Sequence, residues 1–193
     1  MTNPYKLSKW RAEQAALEFA RNGAPVVVVN PTAPIGSGDS KPTPTGQIVR
    51  DFLAGRLPAY VDTGLNWVSV DDVAEGHVLA AERGRIGERY VLGHAEGNWT
   101  LREMLERLAR ISGRPAPRVR LPLWCAFAAA YAGEGLAKIT GQPPRAPLAG
   151  VRMAARPMWF SPAKAVRELG LPQTDPEQAL REAVAWFSGR PRR

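Results

Sequence analysis

The strongest constraint on the fold is an uninterrupted apolar run of β-branched residues near the start of the chain. The run covers Val26 to Val29 and ends at Asn30, which Pro31 and Thr32 follow. Apolar residues without polar alternation predict a strand that is buried on both faces, as in a parallel sheet covered by helices. We therefore expect an α/β protein in which Val26 to Val29 form a fully buried strand.

Helical and extended patterns alternate around this run. Helical periodicity covers residues 5–21, and short strands are predicted at 59–61, 67–70 and 90–92. Residues 33–44 are rich in Gly, Pro, Ser and Thr, a composition that predicts a loop. After these strands the sequence is mostly helical. The order predicts the C-terminal part of a Rossmann-like parallel sheet followed by a mostly helical subdomain.

Residues that cap helices predict where the later helices begin. Thr100 followed by Glu103 has the spacing of a capping box, so a helix is expected from there to about Ser112. The other expected caps have short side chains with a hydrogen-bond acceptor, and they are Thr45, Asp71 or Asp72, Ser161 and Asp175.

Composition excludes several kinds of site. The chain has 193 residues, one cysteine and two histidines, which argues against a disulfide framework and a Cys-cluster metal site and leaves little for zinc. The net charge is +8, but the arginines are scattered rather than interleaved with aromatic residues, so nucleic acid is not the expected partner. The first residues have no apolar signal segment, and we expect a cytoplasmic protein.

The most apolar stretch covers residues 121–132. It is too short to span a bilayer, and Glu134 and Lys138 follow at once. Two interpretations stay open, a core or interface helix and a weak contact with a membrane surface.

The candidate chemical site begins with Tyr5 and Lys9, which lie four residues apart in the first predicted helix and share one face. A lysine ammonium beside a phenol favours the phenolate and lowers its pKa. Such a tyrosine can exchange a proton with a substrate hydroxyl or carbonyl. The pair alone is weak evidence, because this spacing also occurs by chance on surface helices.

The order of motifs resembles the C-terminal half of the extended short-chain dehydrogenase/reductase family, also called the NAD-dependent epimerase/dehydratases. The matching segments are Tyr5 to Lys9, Val26 to Thr32, Gly36, Asn66 to Ala74, Phe160 to Lys164 and Arg167 to Gly170. Two further segments, Lys41 to Gly46 and Pro58 to Gly64, resemble the hopanoid-associated sugar epimerases, which are close to dihydroflavonol 4-reductase-like proteins.

The resemblance implies roles for individual residues. Tyr5 would be the general acid/base, and Lys9 would lower its pKa and hold the nicotinamide ribose. Pro31 and Thr32 would lie along the nicotinamide of NAD or NADP, and residues 35–43 would form part of the substrate side. The branch implies a nucleotide sugar or a related carbonyl or hydroxyl compound as the substrate, within hopanoid lipid synthesis. NAD and NADP are not distinguished.

Two features of the family pattern are absent from the sequence. It contains no G-x-x-G-x-x-G loop for the cofactor pyrophosphate, and no Ser or Thr stands well upstream of Tyr5. The resemblance therefore implies half of a longer enzyme, with residues 1–70 as the C-terminal part of the dinucleotide-binding sheet and residues 71–193 as the substrate-side subdomain. The alternative is a non-catalytic remnant or interaction protein. Either would form a homodimer or bind the missing N-terminal half.

Overall fold

The computed structural model describes residues 4–141 and 148–189, without the side chains of residues 4, 5, 138, 139 and 149. The helices are α1 (Pro4–Arg21), α2 (Pro44–Leu53), α3 (Val70–Arg83), α4 (Leu101–Ser112), α5 (Leu123–Thr140), α6 (Leu148–Ala154), α7 (Ala163–Leu169) and α8 (Pro176–Phe187). The strands are β1 (Val28–Pro31), β2 (Ala33–Ile35), β3 (Ala59–Val61), β4 (Gly64–Ser69), β5 (Arg89–Leu92), β6 (Asn98–Thr100) and β7 (Val119–Leu121).

The central strands are parallel, as predicted. β1 pairs with β5, β2 pairs with β4, and β3 pairs with β7, all in parallel. β6 adds to β4 in antiparallel orientation. With many helices around parallel strands, the α/β prediction is confirmed. The boundary at residue 70 stays a prediction, and β5 from the second part pairs with β1 from the first.

Successive residues of β4 build two cores on opposite sides of the sheet, as the alternation of a strand requires. Trp67 belongs to a large core with residues of α2, α4 and α8, including Val49, Leu108 and Leu180. Val68 belongs to a small core formed with residues of α3, β5 and α7. The sheet is therefore covered by helices on both faces, which is the layering of a doubly wound α/β fold.

The strand formed by the β-branched run differs from the prediction. It begins at Val28 rather than Val26, and residues 26 to 30 are half-buried rather than fully buried. The physical reason is its position, because within the described residues β1 has one strand neighbour, β5. Val27 and Val29 pack against the small core from its side.

Several helix starts also need correction. Thr43, not Thr45, caps α2, because its hydroxyl accepts from the Gly46 N–H and Pro44 occupies the first helical position. Ser69 caps α3 in place of Asp71 or Asp72, since the side-chain oxygen of Ser69 accepts from the Asp71 N–H. At α7 the cap position is Pro162 rather than Ser161.

Other expectations about the helices are confirmed. Thr100 and Glu103 form a complete capping box at the start of α4, and Gly113 ends that helix with φ 74°. Asp175 caps α8, where Pro176 is the first helical residue.

The predicted loop at residues 33–44 begins as a strand instead. Ala33 and Ile35 are buried in the large core, and Pro34 lies between them opposite Val68 of β4. The alternation of buried residues outweighs the high content of Gly and Pro here, because the strand is short and its partner is fixed by the core. β6, which was not predicted, comes from residues directly before the cap of α4.

The apolar stretch after β7 forms most of α5. Ala126, Phe127 and Ala130 pack with Leu148 and Val151 of α6, forming a third cluster separate from the two cores. Within the described ranges, no helix is long and apolar enough to cross a membrane.

Candidate active site

The first helix carries the proposed acid–base pair. Tyr5 and Lys9 lie on α1, and Lys9 is exposed, whereas the Tyr5 side chain is outside the described residues. Glu13 is a further four residues along, so the three positions share one face of the helix. Glu13 accepts a hydrogen bond from Asn30 Nδ2 at 3.0 Å and one from Arg89 Nη1 at 2.9 Å. These bonds fix this face of α1 against β1 and β5.

The Glu13–Asn30 bond also sets the height of the pair along the strand. Asn30 is close to the carboxyl end of β1, and α1 runs back along the strand it precedes. A helix rises about 1.5 Å per residue and a strand about 3.3 Å. Lys9 is therefore expected about 6 Å beyond Glu13, near the level of Thr32, with Tyr5 one helical turn further out.

Pro31 and Thr32 lie where the chain leaves one pair of strands and joins another. Thr32 N donates to Leu92 O at 3.0 Å, which continues the pairing of β1 with β5, and Ala33 then pairs with β4. Pro31 is exposed and Thr32 half-buried. Crevices beyond the carboxyl ends of strands, where strand partners change, are the usual ligand sites of α/β sheets.

A buried asparagine, not singled out from the sequence, organises this strand end. Asn66 of β4 is 1% exposed. Its Oδ1 accepts from Thr32 Oγ1 and from the His94 N–H, both at 3.0 Å. Its Nδ2 donates to His94 O and to Asn98 Oδ1, both at 2.8 Å. The side chain of Thr32 is thus held by a buried network. The signal available in the sequence was a polar residue directly before the strand predicted at 67–70.

The backbone after β5 approaches this network closely. A Cβ at Gly93 would collide with Asn66 Oδ1 and would lie 3.0 Å from Thr32 Cγ2. Only a residue without a side chain leaves the Thr32–Asn66 contact undisturbed. The absence of a Cβ is the condition for close approach of the two strand ends.

An apolar segment lies beside the first turns of α1. Lys6 Nζ is 3.9 Å from Met158 Sδ, and the next two residues, Trp159 and Phe160, are exposed. Phe160 O accepts from Asn98 Nδ2 at 3.1 Å and from Asn66 Nδ2 at 3.3 Å, so the segment is anchored to the same network. Met158 therefore contacts the helix that carries Tyr5 and Lys9, and two exposed large apolar side chains follow it in the chain.

Two cavities lie elsewhere on the surface. One of about 240 Å³ is lined by residues 34–39 with Val70 and Phe187, so the predicted substrate-side loop does border a cavity. The other, of about 410 Å³, is lined by Tyr60, Arg102 and Arg118 among others, and includes none of the predicted site residues. Across residues 4–141 and 148–189, no group of three or more His, Cys, Asp or Glu could hold a metal ion.

Comparison with known proteins agrees with the architecture and the motif order. The model of the family described as "NAD dependent epimerase/dehydratase family" matches residues 1–93. A putative dihydroflavonol 4-reductase from Synechocystis is 48% identical over 187 residues, which are 95% of this chain and 54% of that protein. The chain is therefore similar to the NAD-dependent epimerase/dehydratase family, whose model matches its first 93 residues.

Solved structures of family members match over the same extent. A nucleoside-diphosphate-sugar epimerase from Pseudomonas aeruginosa is 31% identical with a TM-score of 0.76, covering 96% of this chain and 55% of that one. The structure of RMD from Pseudomonas aeruginosa, complexed with NADPH, has the same fold at 20% identity, with a TM-score of 0.67 over 97% of this chain and 56% of that one. The chain therefore spans about half the length of these relatives, which is consistent with the C-terminal half of an extended short-chain dehydrogenase/reductase.

Proposed function

We propose that this chain supplies the acid–base and substrate-binding half of an NAD(P)-dependent oxidoreductase that acts on a hydroxyl or carbonyl group. The observation that supports it most directly is the Glu13–Asn30 hydrogen bond, which joins the helix that carries Tyr5 and Lys9 to the end of β1. The match to the family model and the motif order support the same class of reaction.

In this proposal Tyr5 moves the proton. Its phenol donates a proton to a substrate carbonyl oxygen during reduction, and its phenolate takes the proton back during oxidation. Lys9, one helical turn away, favours the phenolate through its positive charge. Neither residue needs to move, because both belong to one regular helix.

The strand end fits the nicotinamide end of NAD or NADP. Lys9 would donate hydrogen bonds to the ribose, and the exposed Pro31 with Thr32 would lie along the ring. When bound, the cofactor supplies a hydride acceptor or donor. The Asn66 network and Gly93 fit this assignment, since they keep Thr32 in place and let the β5 end approach it. The chain's 193 residues include no glycine-rich loop for the pyrophosphate, so we propose that a second polypeptide segment provides it.

For the substrate we favour an apolar or aromatic carbonyl compound over a nucleotide sugar. Met158, Trp159 and Phe160 place apolar side chains beside the helix of the pair. The name of the Synechocystis relative, a putative dihydroflavonol 4-reductase, agrees with that choice. Similarity to the Pseudomonas epimerase supports a nucleotide sugar as the alternative substrate class.

A non-catalytic interaction role is the second candidate. The open side of β1 and the exposed Trp10 and Phe19 of α1 favour it, because such surfaces attract a partner. A partner that completes the sheet would serve either function.

The test joins the chain to the part of the Synechocystis relative that it does not cover. It follows oxidation of NADH or NADPH with a dihydroflavonol and, with NAD added, conversion of UDP-glucose to its 4-epimer. Tyr5→Phe should lower turnover by roughly 10²–10⁴-fold. Arg11→Gln, an exposed change on the same helix, is the control. Turnover unchanged by Tyr5→Phe contradicts the acid–base role.

The same assay separates the substrate classes. Trp159→Ala should weaken use of the dihydroflavonol more than use of UDP-glucose, since it removes apolar area beside α1. An equal effect on both would contradict the apolar choice. A joined protein that folds and binds cofactor, yet turns over neither compound, favours the interaction role.

A further inference from the structure

The positive charge of the chain is concentrated in one part of the sequence. Residues 111–160 contain seven of the 26 Lys and Arg residues but one of the 18 Asp and Glu residues, Glu134. Most of the net charge of +8 therefore belongs to 50 residues that include β7, α5 and α6.

The one acidic residue in this segment faces inward. Glu134 Oε1 accepts a hydrogen bond from the Leu148 N–H at 3.1 Å, which ties α5 to the start of α6. By contrast, Arg114, Arg118, Arg152 and Arg156 are exposed, and within the described ranges none of them has a carboxylate partner. The surface of this segment is consequently cationic.

Helix α5 adds an apolar stripe to the cationic segment. Leu123, Ala126, Phe127 and Ala130 turn toward α6. Exposed positions also repeat at helical spacing along another face, and among the α5 side chains that the structure describes none on this face is charged. The positions are Trp124, Ala128, Tyr131, Ala132, Gly135 and Leu136. Exposed apolar side chains that adjoin one another mark interaction sites, so this stripe calls for a covering surface.

We infer that α5 lies flat on an anionic membrane surface, with the stripe (Trp124, Ala128, Tyr131, Ala132, Gly135 and Leu136) in the interface and exposed arginines of residues 111–160 on lipid phosphates. Apolar burial and attraction to anionic lipids are the two contributions that hold such helices at a bilayer. The helix has 18 residues and a length of about 27 Å, enough for a substantial contact area. Trp124 and Tyr131 are residue types that favour the membrane interface.

The charge of this segment argues against a second copy of the chain as the surface that covers α5. A symmetric dimer through this face would bring two identical cationic segments together, and like charges across an interface are unfavourable. An anionic lipid surface complements the same charges. The inference does not depend on the proposed catalytic function, since neither the stripe nor Arg114, Arg118, Arg152 and Arg156 include a proposed site residue.

The test measures sedimentation of the 193-residue chain with phosphatidylcholine vesicles, with and without phosphatidylglycerol. Binding is expected only to the anionic vesicles and should weaken as salt rises. Leu136→Glu should reduce binding by about tenfold or more, because a charged side chain replaces a leucine that the membrane would bury. Ile86→Glu is the matched control, since Ile86 is 61% exposed and Leu136 60%.

A second pair of variants isolates the charges. Arg152→Gln with Arg156→Gln should lower binding by about fivefold for each arginine removed. Arg11→Gln with Arg21→Gln changes the net charge equally on α1 and should have little effect.

Three results would overturn the inference. One is equal loss of vesicle binding in Leu136→Glu and Ile86→Glu. Another is light scattering that shows a dimer dissociated by Leu136→Glu, with no dependence on lipid. The third is duplex DNA that binds the chain equally well with and without Leu136→Glu and competes away the vesicles. Thermal unfolding of each variant confirms that it is folded.

Discussion

The large core and the region formed by β1 and α1 differ in how far they are closed. In the large core, Trp67, Met104 and Leu108 are at most 1% exposed and are surrounded by helices from three parts of the chain. In the region of β1 and α1, the strand is half-buried and Phe19 and Trp10 are exposed. The first region is complete within the described chain, and the second has an open side.

The proposed functional residues are also distributed according to this difference. The proposed site residues Tyr5, Lys9, Pro31 and Thr32 all belong to the open region. The closed core fixes β4, and Asn66 on β4 then fixes Thr32. The open region therefore relies on the closed one for its geometry, and we expect it to rely on a covering segment for its activity.

The sharpest test of the open region is cofactor binding. We expect the chain alone to bind NAD and NADP no more tightly than about 1 mM, which is about 4 kcal/mol weaker than a micromolar site. The reason is that the sequence has no glycine-rich cradle for the pyrophosphate. Titration calorimetry should show weak cofactor binding, and light scattering should show that the chain associates with itself. Micromolar binding by a monodisperse monomer would refute the idea that the open region needs a covering segment.

Two substitutions, one in the large core and one in β1, test whether the two regions differ in how well they are covered. Leu108→Ala in the large core should lower the free energy of unfolding by about 3 kcal/mol, because a fully buried side chain leaves a cavity. Val28→Ala in β1 should cost about 1 kcal/mol, since that side chain is half-buried. Urea unfolding measures both. Equal losses would mean that β1 is as well covered as the large core.

Local signals were sufficient where the closed region begins and ends its helices. The capping box of Thr100 and Glu103, the cap at Asp175 and the stop at Gly113 depend on neighbouring residues alone, and the structure has each of them. Caps that compete with nearby alternatives were less predictable. Thr43 and Ser69 precede the expected residues, because Pro44 and Val70 already have helical geometry.

Tertiary context decided the remaining features. The burial of Val26 to Val29 depends on how many strands and helices cover them, which composition does not reveal. β2 forms in a breaker-rich segment because Ala33 and Ile35 enter the large core. Asn66 was quoted only as part of a motif, and its role follows from contacts with residues up to 94 positions away. The roles of Tyr5 and Lys9 remain predictions.

The Asn66 network connects the two regions and can be broken by one change. Asn66→Ala removes acceptors for Thr32 Oγ1 and the His94 N–H and a donor to His94 O. Leaving buried polar groups unpaired should lower the free energy of unfolding by about 2 kcal/mol. Asn22→Ala, at an exposed position, is the control. A loss no larger than the control's would mean that solvent reaches the network.

The capping box of α4 supplies the smallest effect and a pH dependence. Hydrogen bonds from the Thr100 N–H and hydroxyl lower the pKa of Glu103 below its ordinary value of 4.5. A carboxylate whose pKa is lower in the folded state stabilises the protein above pH 4.5, and this contribution disappears as pH falls through the folded value. Thr100→Ala should cost about 1 kcal/mol at neutral pH.

Glu103→Gln separates the charge from the capping geometry, because glutamine can still reach the Thr100 N–H. We expect this variant to lose part of its stability at neutral pH and to approach the unmodified chain as the solution becomes acidic. Glu106→Gln, on the same exposed side of α4, removes no cap, since Glu106 contacts Arg102 instead. The stability of this variant should therefore not approach that of the unmodified chain in the same way as the solution becomes acidic. Urea unfolding from pH 7 to pH 3 measures the difference. If the two glutamine variants have parallel pH profiles, the stability of α4 does not depend on the Glu103 charge. The closed region would then be held by apolar burial alone.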